Sequence, residues 1–430
     1  MAMFIMLVIL LVFAVFGLPL AYAIGASGIS YLAIAKPLFL QMLPQRIWSG
    51  AFSYVLVAMP LFMFMGELMN KAGLTKHLLD FCLLIVRPIK GGLGEVNVLD
   101  SMIFGGISGS SVADTAALGS VVIPEMERRG YPAEFAAGIT VATSTMGMMI
   151  PPSIPMIMFS MISGASVGAL FMAGMVPGLM VGALQLIVCY TISKKNGYHP
   201  KYDTKLTLKE VFRILITSLP TVSMPLLIIA SISFGICTAS ESAAVAVAYS
   251  IIVGVFIYKK LTFKDVIVAL RKTLVNSASI CIIIAFSNIF TWIMTMMQIP
   301  QTVSSFFLSL NLPVWVSLII LDLLILFLGT FIDVSPALLM LTPILLPITR
   351  GLGMTDWQFA AVFITGLAIG LVTPPVGMCL NACSKINGMS ITKIGKAALP
   401  FTLCNVVVLV LITFIPALSN FLPILFGYTG

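Results

Sequence analysis

Apolar runs about twenty residues long recur down the whole chain, and they set its solvent before any other property matters. A helix needs about 20 apolar residues to cross a hydrocarbon core of about 30 Å. Runs of that size fall near 2–24, 50–70, 134–162, 168–192, 214–234, 240–258, 274–297, 357–383 and 398–426. Lipid offers no hydrogen bonds, so runs of this length must pair their own backbone groups as helices. Composition agrees: 60% of the 430 residues are hydrophobic and 9% are charged, against about 25% charged in ordinary globular domains. Too little charge is present to cover a water-facing surface. A soluble enzyme, a disordered chain, a disulfide scaffold and a nucleic-acid partner are all excluded, and the lipid bilayer is the expected surrounding. The fold class is an all-α polytopic membrane protein.

The first run, 1–26, contains Ala21-Tyr22-Ala23, which has the shape of a signal-peptidase site. A secretory signal starts with basic residues, whereas the first one here is Lys36. A first membrane helix is therefore expected. The seven cysteines (Cys82, Cys189, Cys237, Cys281, Cys379, Cys383 and Cys404) lie in or beside apolar runs without metal-ligand spacing. Cys379 and Cys383 share a helix face, but two thiols without a His partner make a poor zinc site. They read as small core residues.

Two stretches, 98–124 and 314–349, are apolar at their ends and interrupted in the middle. The interruptions are Gly105-Gly106-Ile107-Ser108-Gly109-Ser110-Ser111, ending at Asp114, and Gly329-Thr330-Phe331-Ile332-Asp333-Val334-Ser335-Pro336. The arm 98–104 would rise only about 10 Å at 1.5 Å per residue, which fits a re-entrant hairpin that stops partway. The arm 314–328 would rise about 22 Å, enough for a span, and internal repetition decides for a second hairpin. Gly106 and Pro124 lie 18 apart, as do Gly329 and Pro347. Phe135-Ala136-Ala137 recurs as Phe359-Ala360-Ala361, Pro151-Pro152 as Pro374-Pro375, and Leu99-Asp100 as Leu321-Asp322. The chain is thus two halves offset by about 223 residues, each a hairpin followed by a helix broken at a double proline. Matched interruptions in two halves are the best sequence pointer to a transporter's binding site.

Basic residues orient the halves, because cytoplasmic loops carry the excess of Lys and Arg. The net charge of +8 lies in connecting segments. Arg87, Lys90, Arg128 and Arg129 flank the first hairpin, which should open to the cytoplasm. The second follows 298–313, which has no charge, and precedes only Arg350, so it should open to the other side. Loops 193–213 and 259–272 are basic and cytoplasmic, and two spans between them keep the parity. Lys385, Lys393 and Lys396 then fall inside. Lys36 and Arg46 conflict with Lys71 and Lys76 unless 70–90 is an interfacial helix.

Irregular backbone at membrane depth persists only where protein or water surrounds it, so the broken segments should face one cavity. Half-helix N-termini present N–H groups that attract anions, and half-helix C-termini present carbonyls that hold cations. The first half offers Ser108, Ser110, Ser111, Thr143, Ser144, Thr145 and Ser153, with carbonyls near Gly147 and Ile150. The second offers Thr330, Ser335, Thr365, Thr373 and Asn381, with carbonyls near Gly370 and Thr373. Hard cations take such oxygens. Each Ser or Thr alone has a plainer explanation, a bond to the carbonyl one turn back; their clustering at matched breaks favours a site. Asp114 and Asp333 are carboxylates at a costly depth, functional by default, with capping of a half-helix as the alternative. They are not repeat partners, since Asp333 aligns with Ser110. Glu67 is also intramembrane, and Glu241 reads as a helix-start residue. No Lys or Arg occurs in 91–127, 130–193, 273–349 or 351–384. Both sites should therefore lack a protein cation, which gives an anionic substrate a reason to travel with cations.

Other chemistries fit poorly. Gly106-Ile107-Ser108-Gly109 has the shape of an intramembrane serine protease motif, but that reaction needs a positioned base, and His77 and His199 sit in polar connections. An aspartyl protease would need Asp114 and Asp333 to share a proton, and the repeat has no purpose there. A channel wants a continuous lined pore. No nucleotide-binding G-x-x-x-x-G-K-[ST] motif exists.

The run 105–119 (Gly-Gly-Ile-Ser-Gly-Ser-Ser-Val-Ala-Asp-Thr-Ala-Ala-Leu-Gly), Ile123-Pro124-Glu125-Met126 and Tyr131-Pro132-Ala133-Glu134-Phe135-Ala136-Ala137-Gly138 resemble the large membrane subunit of tripartite ATP-independent periplasmic (TRAP) transporters. So do Ile150-Pro151-Pro152-Ser153, Ala239-Ser240-Glu241-Ser242-Ala243-Ala244-Val245-Ala246 and Thr373-Pro374-Pro375-Val376-Gly377, so the resemblance spans nearly the whole chain. It implies an inverted-repeat, elevator-type transporter with two re-entrant helical hairpins and two broken transmembrane helices, in the bacterial inner membrane. It implies sodium-coupled import of organic acids, of the sialic acid or C4-dicarboxylate type. The implied partners are a small four-helix membrane subunit, supplied as a separate chain, and a periplasmic substrate-binding protein. One Na+ would sit near Ser108, Val112, Gly147, Ile150 and Pro151, and a second, by pseudo-symmetry, near Ser335, Gly370, Thr373 and Pro374. The second half departs from the pattern in lacking the Gly-Ser-Ser run. Substrate contacts are expected from Ser110, Ser111, Asp114, Thr145, Ser153, Asp333 and Asn381. The implied division is scaffold with an arm helix (1–97), transport domain (98–165), scaffold and second arm (166–313), transport domain (314–385) and a last scaffold span (386–430). The alternative is a stand-alone proton- or sodium-coupled organic anion carrier of related fold.

Overall fold

The structure, a computed structural model, describes residues 2–86, 92–198 and 207–428. Arg87, Lys90, His199, Lys201 and Lys205 lie outside the described residues. Those that are described form helices and no strand.

The expected first span, 2–24, is two helices, α1 (Ala2–Val15) and α2 (Leu20–Ala35). Gly17 adopts φ 81°, and Pro19 sits at the N-cap of α2 without an N–H to extend α1. The chain turns there and α1 packs back on α2. Next come α3 (Leu43–Ala51), α4 (Ala58–Lys71) and α5 (Leu74–Val86). The expected span 50–70 begins with a corner: Pro37–Ala51 and Tyr54–Lys71 meet at 51°. Helix α5 occupies the stretch expected to be interfacial.

The first hairpin is α6 (Gly92–Ser108) and α7 (Ser111–Arg128). Seventeen residues rise about 25 Å, much more than the arm 98–104 suggested. Apolarity stops at Val98 because Glu95 and Asn97 read as polar, yet both are buried, and Asn97 donates to Thr140 at 2.6 Å. Then follow α8 (Ala133–Thr143), a 3-10 turn at Ser144–Met148, the Pro151-Pro152 break and α9 (Ile154–Ser163). Helices α10 (Val167–Asn196), α11 (Leu208–Ser233), α12 (Ala239–Ile252) and α13 (Phe263–Met296) are long, and α14 (Ile299–Ser309) is short. Capping boxes start three of them: Thr207 with Glu210, Thr238 with Glu241, and Thr262 with Asp265. Glu241 is thus a helix-start residue, as its sequence position indicated.

The second hairpin is α15 (Val314–Gly329) and α16 (Val334–Gly351), followed by α17 (Asp356–Leu371), the Pro374-Pro375 break and α18 (Met378–Asn387). The last expected span divides into α19 (Ile391–Phe414) and α20 (Ala417–Leu425) at Pro416. Six described helices are long and apolar enough to cross a membrane, or seven if the bent pair counts as one. Of the nine expected spans, 2–24, 134–162 and 357–383 look continuous by hydropathy and are broken by geometry, 50–70 belongs to the bent pair, and Val334–Gly351 of the second hairpin joins the remaining five among the six.

The helices can be grouped into two bodies, which meet where α5 lies on α6 and α13 on α16. Helix α4 lies on α12 and α13, α2 and α3 on α13, and α5 on α11. On the other side α8 packs on α19, α15 on α17, α7 on α8 and α18, and α10 on α6, α19 and α20. Helices α10 and α19 pack on hairpin-side helices, α10 on α6 and α19 on α8. Polar bonds tie them there: Gln185 of α10 donates to Asn405 of α19 at 2.9 Å, and Asn405 donates to Thr145 at 2.8 Å. At the centre, α17 is buried from Trp357 through Leu371. A helix apolar all round belongs inside protein, and this one ends at the second break, where the chain reaches the surface at Pro374 to Val376.

Candidate functional site

A cavity of about 480 Å³ lies between the two bodies. One wall is the tip of the first hairpin, Ser108 to Ala113, joined by Asp333 and Ser335 from the second tip. The opposite wall comes from α4 (Met63, Gly66, Glu67, Asn70) and α13 (Lys272, Thr273, Asn276, Ser279). The first tip turns at Gly109 (φ 62°), where a Cβ would stand 3.0 Å from the Pro152 carbonyl oxygen. Glycine is thus required both by conformation and by the closeness of the proline break. Ser110 and Asp333 occupy the N-cap positions of α7 and α16, the equivalence that the repeat predicted. Neither side chain makes a capping bond.

Behind the first tip, α6 crosses the 3-10 turn with almost no space between backbones. A Cβ on Gly105 would lie 2.6 Å from the Gly147 Cα. A Cβ on Gly147 would lie 3.7 Å from Ser108 Oγ and 3.8 Å from Asp114 Oδ2. Asp114 is wholly buried, and neither of its carboxylate oxygens has a hydrogen-bond partner. Asp114 therefore does not cap α7, which was the alternative reading. Pro151 presents its carbonyl oxygen to Gly106, and Ile150 packs on Gly106 and Gly178. In the second half Gly370 meets Gly329 backbone to backbone, as Gly147 meets Gly105. The Gly370 carbonyl accepts from the Thr373 N–H at 3.1 Å. Both double prolines are cis.

Six of the expected site residues line the cavity, four tie backbone, and Asp114, Gly147, Ile150, Pro151, Gly370 and Pro374 lie outside its lining. Ser108, Ser110, Ser111, Val112, Asp333 and Ser335 reach the cavity. Thr145, Ser153, Thr373 and Asn381 do not line it; they tie backbone. Thr145 donates to the Ala142 carbonyl at 2.7 Å and Thr373 to that of Ile369 at 2.7 Å, the local bonding that any buried threonine in a helix can make. Ser153 caps α9 by accepting from the Met156 N–H, and also donates to the Met148 carbonyl. Asn381 donates to the Val376 carbonyl at 2.6 Å, closing the loop before α18. Pro374 is exposed, beside Gly395. All seven cysteines are free, with Cys379 and Cys383 in the core.

The absence of a protein cation needs correction. Lys272 lines the cavity and pairs with Glu67 at 2.7 Å. It lies one residue before the cation-free tract and before the apolar run 274–297, so a count of apolar residues placed it in a loop. Its signal is helical spacing, since Lys272, Thr273, Asn276 and Ser279 fall on one polar face of α13. Asp100, which the sequence marks only as part of the repeated Leu-Asp pair, is also wholly buried with both oxygens unpartnered.

Two related halves, two hairpin tips in one cavity and helices broken beside it define a multi-pass membrane transporter rather than an enzyme. Residues 7–418 match the family described as the DctM component of tripartite ATP-independent periplasmic transporters, and the chain belongs to that family. It is 33% identical over 418 residues to the sialic acid TRAP transporter large permease protein SiaM of Vibrio cholerae, covering 96% of each chain. It is 34% identical over 407 residues to the C4-dicarboxylate TRAP transporter large permease protein DctM of Pseudomonas aeruginosa, covering 93% of each. Its fold is similar to that of the Alcanivorax borkumensis YdaH transporter, with a TM-score of 0.61 and 15% identity over 89% of each chain. The chain is a large permease of a TRAP transporter, a multi-pass protein of the inner membrane.

Proposed function

We propose that this permease imports an organic acid by sodium coupling, receiving it from a periplasmic binding protein and working with a separate small membrane subunit. The observation that carries the ionic part is the buried Asp114 carboxylate, unpartnered beside Ser108 Oγ and the Gly105–Gly147 crossing. A bare carboxylate in a low-dielectric interior is costly. A hard cation held by hydroxyl, carbonyl and carboxylate oxygens would balance it. Ser108, Val112, Gly147, Ile150 and Pro151 would hold that ion, with Asp114 supplying charge. In the second half, Ser335, Gly370, Thr373 and Pro374 would hold another. The ion's contribution is positive charge where the hairpin wall has none.

The substrate class is inferred from the relatives named for sialic acid and C4-dicarboxylates, both organic acids. Ser110, Ser111 and Asp333 on the tips are the proposed substrate contacts, with Asp114 behind them. Transport would proceed as an elevator: the hairpin body, including α10 and α19, slides against the body built on α4, α12 and α13. In that movement both hairpins are re-entrant and carry the cavity's contents with them.

A second reading, a stand-alone carrier driven by protons or sodium, is kept open by Asp114, since an unpartnered carboxyl can also be neutralised by a proton. Reconstitution in proteoliposomes separates the two. Uptake of labelled N-acetylneuraminate and succinate would be measured with and without a binding protein and small subunit, under a sodium or a proton gradient. Uptake that needs all three proteins and a sodium gradient supports the tripartite reading. Uptake by the permease alone, or indifference to sodium, rejects it.

A further inference from the structure

Among the described residues lining the cavity, Lys272 is the single cation. It lies about 13 Å along α13 from Phe263, at 1.5 Å per residue, so its charge sits well below the start of the helix. Its ammonium pairs with Glu67 Oε1 at 2.7 Å. The two side chains differ in access: Lys272 is 60% exposed and Glu67 18%. An ammonium has three N–H donors, and one carboxylate partner leaves donors free toward the cavity. The hairpin wall opposite offers hydroxyls (Ser108, Ser110, Ser335) and the Asp333 carboxylate, with no positive charge. Helices α4 and α13 already pack on each other through other residues, so the pair is not needed to join them.

We propose that Lys272 is the carboxylate-binding residue of this cavity, and that Glu67 is a positioning residue holding its ammonium against the wall. This rests on the organic-acid reading above. A substrate acid docks with its carboxylate on Lys272 and away from Asp333, and its hydroxyl or amide groups meet the serines of the hairpin tips. Lys272 belongs to the body that does not carry the hairpins, so the contact exists only while the tips stand opposite α13. The basic connections place the start of α13 at the cytoplasmic face, which makes Lys272 the cytoplasmic docking charge.

The test uses the full chain with its small subunit, purified in detergent at fixed sodium chloride. Thermal unfolding is followed against N-acetylneuraminate, succinate and their methyl esters, for wild type, Lys272→Gln and Lys272→Arg. In wild type at least one acid raises the melting midpoint and its ester does not. In Lys272→Gln the half-saturating concentration of that acid rises at least about tenfold, equivalent to about 1.4 kcal/mol. Lys272→Arg stays close to wild type, and stabilisation by sodium alone is unchanged in both variants, which reports an intact fold. Equal acid affinity in wild type and Lys272→Gln overturns the assignment while leaving the organic-acid reading standing. Loss of the sodium response together with the acid response marks a structural role and also overturns it. A wild type stabilised by none of these acids counts against the organic-acid reading itself, and this inference falls with it.

Discussion

Gly105→Ala probes the backbone crossing beside which the first sodium ion is proposed to bind. The new Cβ would arrive 2.6 Å from the Gly147 Cα and 2.9 Å from its nitrogen. Carbon atoms settle about 3.5–4.0 Å apart, and both neighbours are backbone, so α6 and the 3-10 turn must separate by about 1 Å. Overpacking of this kind costs about 1–3 kcal/mol, offset by about 0.5–1 kcal/mol from replacing a helical glycine. A net loss of about 1–2 kcal/mol is expected, with a lower melting midpoint. The same separation draws Ser108 away from the turn, so the sodium concentration for half-maximal stabilisation should rise about tenfold. Gly147→Ala makes an informative contrast. Its methyl group meets nothing closer than 3.3 Å, but it points between Ser108 Oγ and Asp114 Oδ2. It should remove the sodium response at a smaller cost in stability than Gly105→Ala, since its 3.3 Å approach to the Gly105 Cα is relieved by a shift of only a few tenths of an ångström. The assay is thermal unfolding of the purified full chain against sodium, with potassium matching ionic strength. A Gly105→Ala protein that melts and titrates like wild type would refute the packing argument. A Gly147→Ala protein with an intact sodium response would refute the placement of the ion.

Other expectations follow from the same geometry. Asp114→Asn keeps the side-chain shape and removes the buried charge, so it should elute as wild type on size exclusion yet lose stabilisation by sodium; an unchanged titration would exclude the carboxylate from the site. Ser108→Ala should weaken the sodium response more than it weakens assembly with the small subunit, measured by co-purification. Asn405→Ala leaves the Gln185 and Thr145 side chains without their shared partner, which should cost about 1–3 kcal/mol. The double variant with Gln185→Ala should lose less than the two single losses added together, and strict additivity in chemical unfolding would contradict the coupling.

Hydropathy and repetition expose much of this protein because lipid imposes a simple rule: backbone groups are paired within helices or hidden inside protein. That rule makes the interruptions at Gly105 to Ser111 and Gly329 to Pro336 visible as exceptions. The offset between them pairs Ser110 with Asp333 as equivalent helix starts. It also explains the errors. Window hydropathy treats Glu95 and Asn97 as the end of an arm, although burial and the bond to Thr140 keep them inside it. It also runs through Gly17 and Pro416, where backbone conformation and a missing N–H divide one apparent span into two.

Sequence alone determined the solvent, the two-fold repetition, the places where helices break and the hydroxyl-rich tips, because each is a property of residues close together in the chain. Tertiary structure decided which polar groups share a cavity. It set Ser108 beside Asp114 and Gly147, used Thr145, Ser153, Thr373 and Asn381 to tie backbone, and brought Lys272 across from the other body to face the tips. The threonine, serine and asparagine bonds are local, but the meeting of Gly147 with Ser108 and of Lys272 with Glu67 joins separate helices, the latter pair more than two hundred positions apart, and no local periodicity encodes which faces will meet.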